Sequence, residues 1–135
     1  MGNGKNNREI VLACYKILTN KEKKKIFETV KKELENFGIK NFLVYGSFVR
    51  RNYVRDLDIV IFDKISEKRM NEIASSLEKK VKMEVDLRNF KELAEPIKFL
   101  ALTQGKGILE DNLRKECIDF VHRYIDFVEW LRKWL

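Results

Sequence analysis

The chain is poor in the residues that build metal clusters and cross-linked folds. Its 135 residues include two cysteines, one histidine and one proline. Cys14 and Cys117 lie far apart and lack the close spacing of zinc ligands, so we expect two reduced thiols rather than a zinc site or a disulfide framework. His122 stands among apolar positions near the C-terminus, and no motif pairs it with a carboxylate. We therefore interpret it as a structural residue.

Long apolar runs are also missing. No segment approaches the length needed to cross a bilayer, and residues 1–7 are polar, without the apolar stretch of a signal peptide. These features predict a cytoplasmic protein with no membrane partner. A chain of 135 residues, 44% of them apolar, is long enough for a single domain, 1–135, around one hydrophobic core.

Basic residues outnumber acidic residues by 28 to 21, which gives a formal net charge of +7. A charge of this sign raises the question of a nucleic-acid partner. The lysines of segment 19–38, however, alternate with glutamates. Thr19 starts a capping box there, and Gly38 ends an amphipathic helical pattern. We therefore interpret these lysines as the solvated face of a helix, and nucleic-acid binding is the less favoured prediction.

Two short apolar runs with a basic loop between them form the most informative segment. Residues 43–45 and 57–62 are rich in β-branched and aromatic side chains and are bounded by turn-prone residues, a pattern typical of buried strands. The arginines of the loop could neutralise a triphosphate or could simply be exposed, and both interpretations stay open for each of them. The loop spans residues 48–55 and contains Arg50, Arg51 and Arg55.

Two aspartates lie where the second of these strands begins. Because side chains alternate along a strand, Asp56 and Asp58 share one face. Neighbouring carboxylates repel each other, and oxygen ligands of this kind favour Mg²⁺ together with substrate phosphates. Gly46 and Ser47 end the preceding strand and offer a backbone that phosphates can approach closely, with hydroxyl and amide donors. The segment predicts a site for a metal ion and phosphate groups.

A third strand is predicted at residues 81–88, where alternation places Asp86 on the polar face. A Gly-Ser at a strand end, an Asp-x-Asp at a strand start and a carboxylate on a later strand resemble the signature of minimal nucleotidyltransferases in the DNA polymerase beta superfamily. That group includes the antitoxins that partner HEPN-type ribonuclease toxins. The resemblance covers about residues 25–110. The chain departs from the signature in a shorter loop, in Arg51-Asn52 where a glycine is usual, and in Arg55 where serine is common.

The resemblance implies a set of roles for these residues. Asp56, Asp58 and Asp86 would be the catalytic residues and the ligands of two Mg²⁺ ions, and Asp86 would also act as general base. ATP would be the donor, and the acceptor would be a tyrosine hydroxyl of a HEPN-type partner protein. The nucleotide-binding residues would be Gly46, Ser47, Arg50 and Arg51.

The expected fold is α+β: a small mixed sheet covered by helices on one face, with the nucleotidyltransferase core at about residues 20–110. Beyond the helix that follows Thr19, hydrophobic periodicity predicts several further elements. They are helices at 8–18, 66–80, 95–104 and 112–135, and a short edge strand at 108–109.

The C-terminal helix carries two adjacent apolar stripes. One stripe is enough to dock a helix on its own domain, so the second is either covered by the N-terminal helix and the sheet or left for a partner. A second copy of the chain could use it as readily as another protein. The stripes consist of Leu113, Cys117, Phe120, Tyr124, Phe127, Leu131 and Trp134, and of Ile118, Val121, Ile125 and Val128.

Three functions are compatible with the sequence. The first is an ATP- and Mg²⁺-dependent nucleotidyltransferase that modifies a partner protein as an antitoxin. The second is a catalytically weak module that neutralises its partner by contact. The third is a nucleotidyltransferase acting on RNA ends or a small molecule.

Overall fold

A computed structural model describes residues 15–135. Residues 1–14 of the chain lie outside the described part, and they include Cys14 and most of the helix predicted at 8–18. The strands are β1 (Lys16–Ile17), β2 (Phe42–Tyr45), β3 (Tyr53–Val54), β4 (Asp56–Ile61), β5 (Glu84–Asn89) and β6 (Lys106–Ile108). The α-helices are α1 (Asn20–Asn36), α2 (Ser47–Arg50), α3 (Glu67–Val81), α4 (Glu95–Gln104) and α5 (Asp111–Trp134), and a 3₁₀ turn spans Phe90–Glu92.

The main sheet has the strand order β5-β4-β2-β6. Strands β2 and β4 are antiparallel, as are β2 and β6, whereas β4 and β5 run parallel and are connected through α3. A two-stranded ribbon of β1 and β3 lies beside it. The mixed sheet with helices confirms the predicted fold class.

One side of the sheet, here called the core face, packs against α1 and α3. Leu57, Ile59 and Ile61 of β4 are fully buried there. The helices contribute Val30 and Leu34 from α1 and Ile73 and Leu77 from α3. Both helices begin as the sequence predicts, with the capping box at Thr19 and the hydroxyl of Ser66 accepting from the Arg69 amide.

The opposite side, here called the carboxylate face, also carries helices. Leu43 and Val60 pack there against Leu93 and Ala101, the latter on α4. Helix α5 lies against α4, with the rings of Phe99 and Tyr124 stacked at 4.7 Å. The expectation of helices on one face only is therefore wrong in this detail. The cause is that Val60 follows Asp56 and Asp58 on the same side of β4, so that side is apolar at one end and needs a cover.

The segment between β2 and β4 is more ordered than the predicted loop. It forms the helical turn α2 and the strand β3, which pairs with β1. The amide of Leu18 also donates to the carbonyl of Asn52 at 2.7 Å. Lys16–Ile17 is therefore extended, and the predicted helix does not continue to residue 18.

Helix α5 confirms the predicted C-terminal helix and leaves several apolar side chains exposed. Trp130 is 55% exposed and Trp134 is 75% exposed, while Cys117 is buried near the start of the helix. A role of this surface in docking or in a homodimer stays a prediction. Within residues 15–135, no helix is both long and apolar enough to span a membrane.

Candidate active site

Three strands bring the predicted acidic residues to one end of the carboxylate face. On β4, Asp56 and Asp58 point to the side opposite the buried Leu57 and Ile59, as alternation requires. Strand pairing places Asp86 of β5 beside Asp58, and Tyr45 of β2 on its other side. Helix α4 covers only the Val60 end of this face, so the aspartates stay partly accessible.

The turn at Gly46 touches the carboxylate of Asp58. Gly46 has φ +78° and ψ −148°, a backbone conformation that residues other than glycine avoid. A Cβ at this position would overlap the Oδ2 atom of Asp58. Two separate features therefore require glycine at position 46: the backbone angles, and the absence of room for a Cβ next to Asp58. Directly after it, α2 begins with Ser47, and the amides of Val49 and Arg50 donate to the Gly46 carbonyl.

The site has an excess of negative charge around Asp58. Partial burial and the charges of Asp56 and Asp86 raise the pKa of Asp58 to about 6, and Arg88 and Arg50 oppose this rise. The pKa of Tyr45 is raised to about 12, mainly by burial and to a smaller extent by the charges of Asp58 and Asp86. A bound cation would relieve this repulsion.

Arg88 pairs with the third carboxylate. Its Nε donates to Oδ1 of Asp86 at 3.1 Å, and this bond raises the pKa of Arg88. Arg88 and Tyr45 are the two neighbours of the acidic cluster that the sequence did not single out. Alternation on β5 puts Arg88 on the face of Asp86, but only the strand register places Tyr45 beside Asp58.

The arginines after Ser47 occupy different surroundings. Arg50 ends α2 and adds positive charge near Asp58. The guanidinium of Arg51 instead lies 5.8 Å from the centre of the Tyr53 ring, and its carbonyl accepts from Lys23. Arg55 is exposed just before β4. Of the three, Arg50 is therefore the one that the structure associates with the acidic cluster.

The acidic residues fit magnesium as part of a ligand set. Among residues 15–135, no three acidic, histidine or cysteine side chains converge closely enough to hold a metal ion by themselves. Asp86 is paired with Arg88. Mg²⁺, however, is commonly held by one or two carboxylates completed by water and substrate phosphates. Asp56 and Asp58, with oxygen donors and mutual repulsion, meet that requirement.

Solved structures share the fold of this chain. One is a toxin-antitoxin complex with AMP-PNP, 20% identical, with a TM-score of 0.61 over 78% of this chain and 89% of that one. Another is the MntA-HepT toxin-antitoxin, 18% identical, with a TM-score of 0.59 over 82% and 90%. A third is a tri-AMPylated HEPN toxin with its MNT antitoxin from Shewanella oneidensis, 18% identical, with a TM-score of 0.58 over 82% and 90%.

No curated protein matches the sequence of this chain. The model of the family described as "Polymerase beta, Nucleotidyltransferase" matches residues 24–114. This range contains the Gly46 turn and all three aspartates, and it ends just inside α5. The chain belongs to the polymerase beta nucleotidyltransferase family.

Proposed function

We propose that the chain is an ATP- and Mg²⁺-dependent nucleotidyltransferase that adds a nucleoside monophosphate to a hydroxyl of a partner protein, as the antitoxin of a HEPN-type toxin. The observation that carries the proposal is the contact of the Gly46 turn with Asp58, flanked by Asp56 and Asp86, inside a nucleotidyltransferase domain. Support for the partner comes from a solved structure of similar fold, which holds a tri-AMPylated HEPN toxin with an MNT antitoxin.

In this reaction, the acceptor oxygen attacks the α-phosphorus of ATP, the bond from that phosphorus to the bridging oxygen breaks, and pyrophosphate leaves. Asp56 and Asp58 would hold the magnesium. When bound, magnesium offsets phosphate charge and makes the acceptor hydroxyl more acidic. Asp86 would be a further ligand, including for a second ion, and would accept the proton of the hydroxyl.

The remaining residues bind and orient the nucleotide. Gly46 leaves the backbone bare, so the β- and γ-phosphates can approach the first amides of α2 and the hydroxyl of Ser47. Arg50 would place positive charge beside these phosphates, and Arg51 would do so after leaving Tyr53. Strand pairing keeps Asp86 next to Asp58, and Arg88 pairs with Asp86 when no metal ion competes for it.

The direct test is transfer of label from α-labelled ATP, with Mg²⁺, into proteins of a lysate of the native host. We expect one protein band to be labelled by the wild type and by Asp119→Asn, a matched change at an exposed position of α5, but not by Asp58→Asn. ATP labelled at the γ-phosphate should leave the same band unlabelled, because that phosphate departs in pyrophosphate.

Other outcomes assign the alternative functions. Label that appears in RNase-sensitive material would support transfer to RNA ends. If no label is transferred while a protein co-purifies with both the wild type and Asp58→Asn, the chain is a module that acts by contact. The exposed Trp130 and Trp134 on α5 favour this second candidate over the RNA enzyme.

A further inference from the structure

A cavity lies near the Gly46 turn but opens on the core face, away from the aspartates. It has a volume of about 400 Å³, within the range of pockets that hold small ligands. It lies between the first half of α1, the turn α2 and the strand β6. Val44 contributes to its wall and belongs to the core under α1 and α3, whereas Asp58 points to the other side of the sheet.

The walls of this cavity combine an apolar floor with a basic rim. Phe27, Phe48 and Val49 provide the floor. Three lysines also line the cavity, Lys23 and Lys24 on α1 and Lys106 on β6, and no acidic side chain among residues 15–135 lines it. The rim therefore attracts anions, and the floor favours a ligand with an apolar surface.

The three lysines differ in what they contact. Lys23 donates to the carbonyl of Arg51 and lies 5.7 Å from the centre of the Phe48 ring, so it is held in place. In the described part of the chain, Lys24 and Lys106 form no ion pair. Both are exposed, so their charges are available to a ligand.

We propose that this cavity binds a nucleoside monophosphate unit, either a free nucleotide or the end of an RNA strand. An uncharged apolar ligand would leave the positive charges of the rim without a counter-charge. A bare inorganic anion would leave the apolar floor without a partner. A nucleoside monophosphate fits both features. Its phosphate would lie between Lys24 and Lys106, and its base would cover the side chains of Phe27 and Val49.

Such a ligand would contact the same helical turn that begins at the active site. Phe48 and Val49 belong to α2, which follows directly on Gly46 and ends at Arg50. None of the three aspartates lines the cavity. Its occupation can therefore be measured without any catalytic readout.

The test is a titration of the ¹⁵N-labelled chain with AMP, observed by NMR in EDTA. AMP has no pyrophosphate to lose, and EDTA removes metal ions from the aspartates. We expect saturable shifts of the amides of Lys24, Phe27 and Lys106, which line the cavity and lie outside the Gly46 turn and α2. We expect Lys24→Glu with Lys106→Glu to weaken binding about tenfold or more, since two attractive charges become repulsive. Lys24→Gln with Lys106→Gln should weaken binding less.

The matched control is Lys25→Glu with Lys115→Glu, which changes the net charge equally at exposed positions outside the cavity. It should leave most of the affinity intact. A 5′-phosphorylated tri-adenylate distinguishes the two ligand sources: tighter binding than AMP at the same amides identifies an RNA end, and equal or weaker binding identifies a free nucleotide.

Three results would overturn the proposal. The first is the absence of saturable shifts at the cavity, or shifts confined to the neighbours of Asp56, Asp58 and Asp86. The second is an equal loss of affinity in both Lys→Glu pairs, which would indicate a response to net charge alone. The third is binding of inorganic phosphate as tight as that of AMP, which would remove the nucleobase from the interaction.

Discussion

Replacing Asp58 with asparagine should stabilise the folded protein in the absence of metal ions. Asp58 carries its charge in a partly buried position between Asp56 and Asp86, and its pKa rises from 3.8 to about 6. A difference of this size corresponds to about 3 kcal/mol of destabilisation when the carboxylate is ionised. Because solvent reaches the group and screens it, we expect about 1–2 kcal/mol of this to be recovered in Asp58→Asn.

The stability gained in Asp58→Asn should depend on pH, because the Asp58 carboxyl releases its proton at different pH values in the folded and the unfolded chain. At pH values below 3.8, the carboxyl is protonated in the folded and in the unfolded chain, so the aspartate carries no penalty. As the pH rises to about 6, the unfolded chain releases the proton before the folded chain does, and the wild type loses stability relative to Asp58→Asn. The gain of the variant should therefore be complete at neutral pH and should vanish near pH 4.

Thermal and urea unfolding in EDTA measure the effect, with Asp119→Asn as the control at an exposed position. A gain of about 1–2 kcal/mol should raise Tm by roughly 3–8 °C in a domain of this size. Under the proposed function, Mg²⁺ should reduce the difference, because binding to the Asp58 carboxylate would stabilise only the wild type. An Asp58→Asn variant that is no more stable than the wild type at neutral pH, or whose gain persists in acid, would refute the account of charge repulsion at the site.

Two further predictions concern the groups that touch the aspartates. Gly46→Ala should cost about 1–3 kcal/mol in urea unfolding and weaken ATP binding in the presence of Mg²⁺, because its Cβ would meet Asp58. Gly38→Ala is the control, since Gly38 has a similar φ of +79° but no described atom within 4 Å of its Cβ, and an equal cost would exclude the collision. Arg88→Ala should raise Mn²⁺ affinity about two- to tenfold by freeing Asp86, as calorimetry would measure, and an unchanged affinity would mean that the pair does not compete with metal ions.

The sequence predicted the side on which each carboxylate lies, because alternation along a strand is a local property. It put Asp56 and Asp58 on one face of β4 and Asp86 on the polar face of β5, as the structure has them. Their meeting depends on the register of β4 and β5, which no local pattern specifies. The resemblance to nucleotidyltransferases supplied that step, and without the register Tyr45 could not be identified as a neighbour of Asp58.

The errors in the prediction have the same physical origin. Residues 48–55 are basic and contain no clear periodicity, so the local pattern predicts a loop. Strand β3 forms because Tyr53 and Val54 pair in an antiparallel ribbon with Ile17 and Lys16, which lie more than thirty positions earlier in the chain. Ile17 fits an amphipathic helix by its spacing, yet it is 82% exposed in this ribbon. Pairing with distant residues overrode the local helical pattern.

The contact between Gly46 and Asp58 has a consequence for recognising related sites in other sequences. An Asp-x-Asp pair alone occurs in many exposed turns, and grafting it onto another strand would not reproduce this arrangement. The carboxylate of Asp58 needs a residue without a side chain, at a positive φ, in the turn that directly follows the neighbouring antiparallel strand. A search that requires the second aspartate on one strand and the glycine in the turn after the neighbouring antiparallel strand would therefore select for geometry as well as for composition.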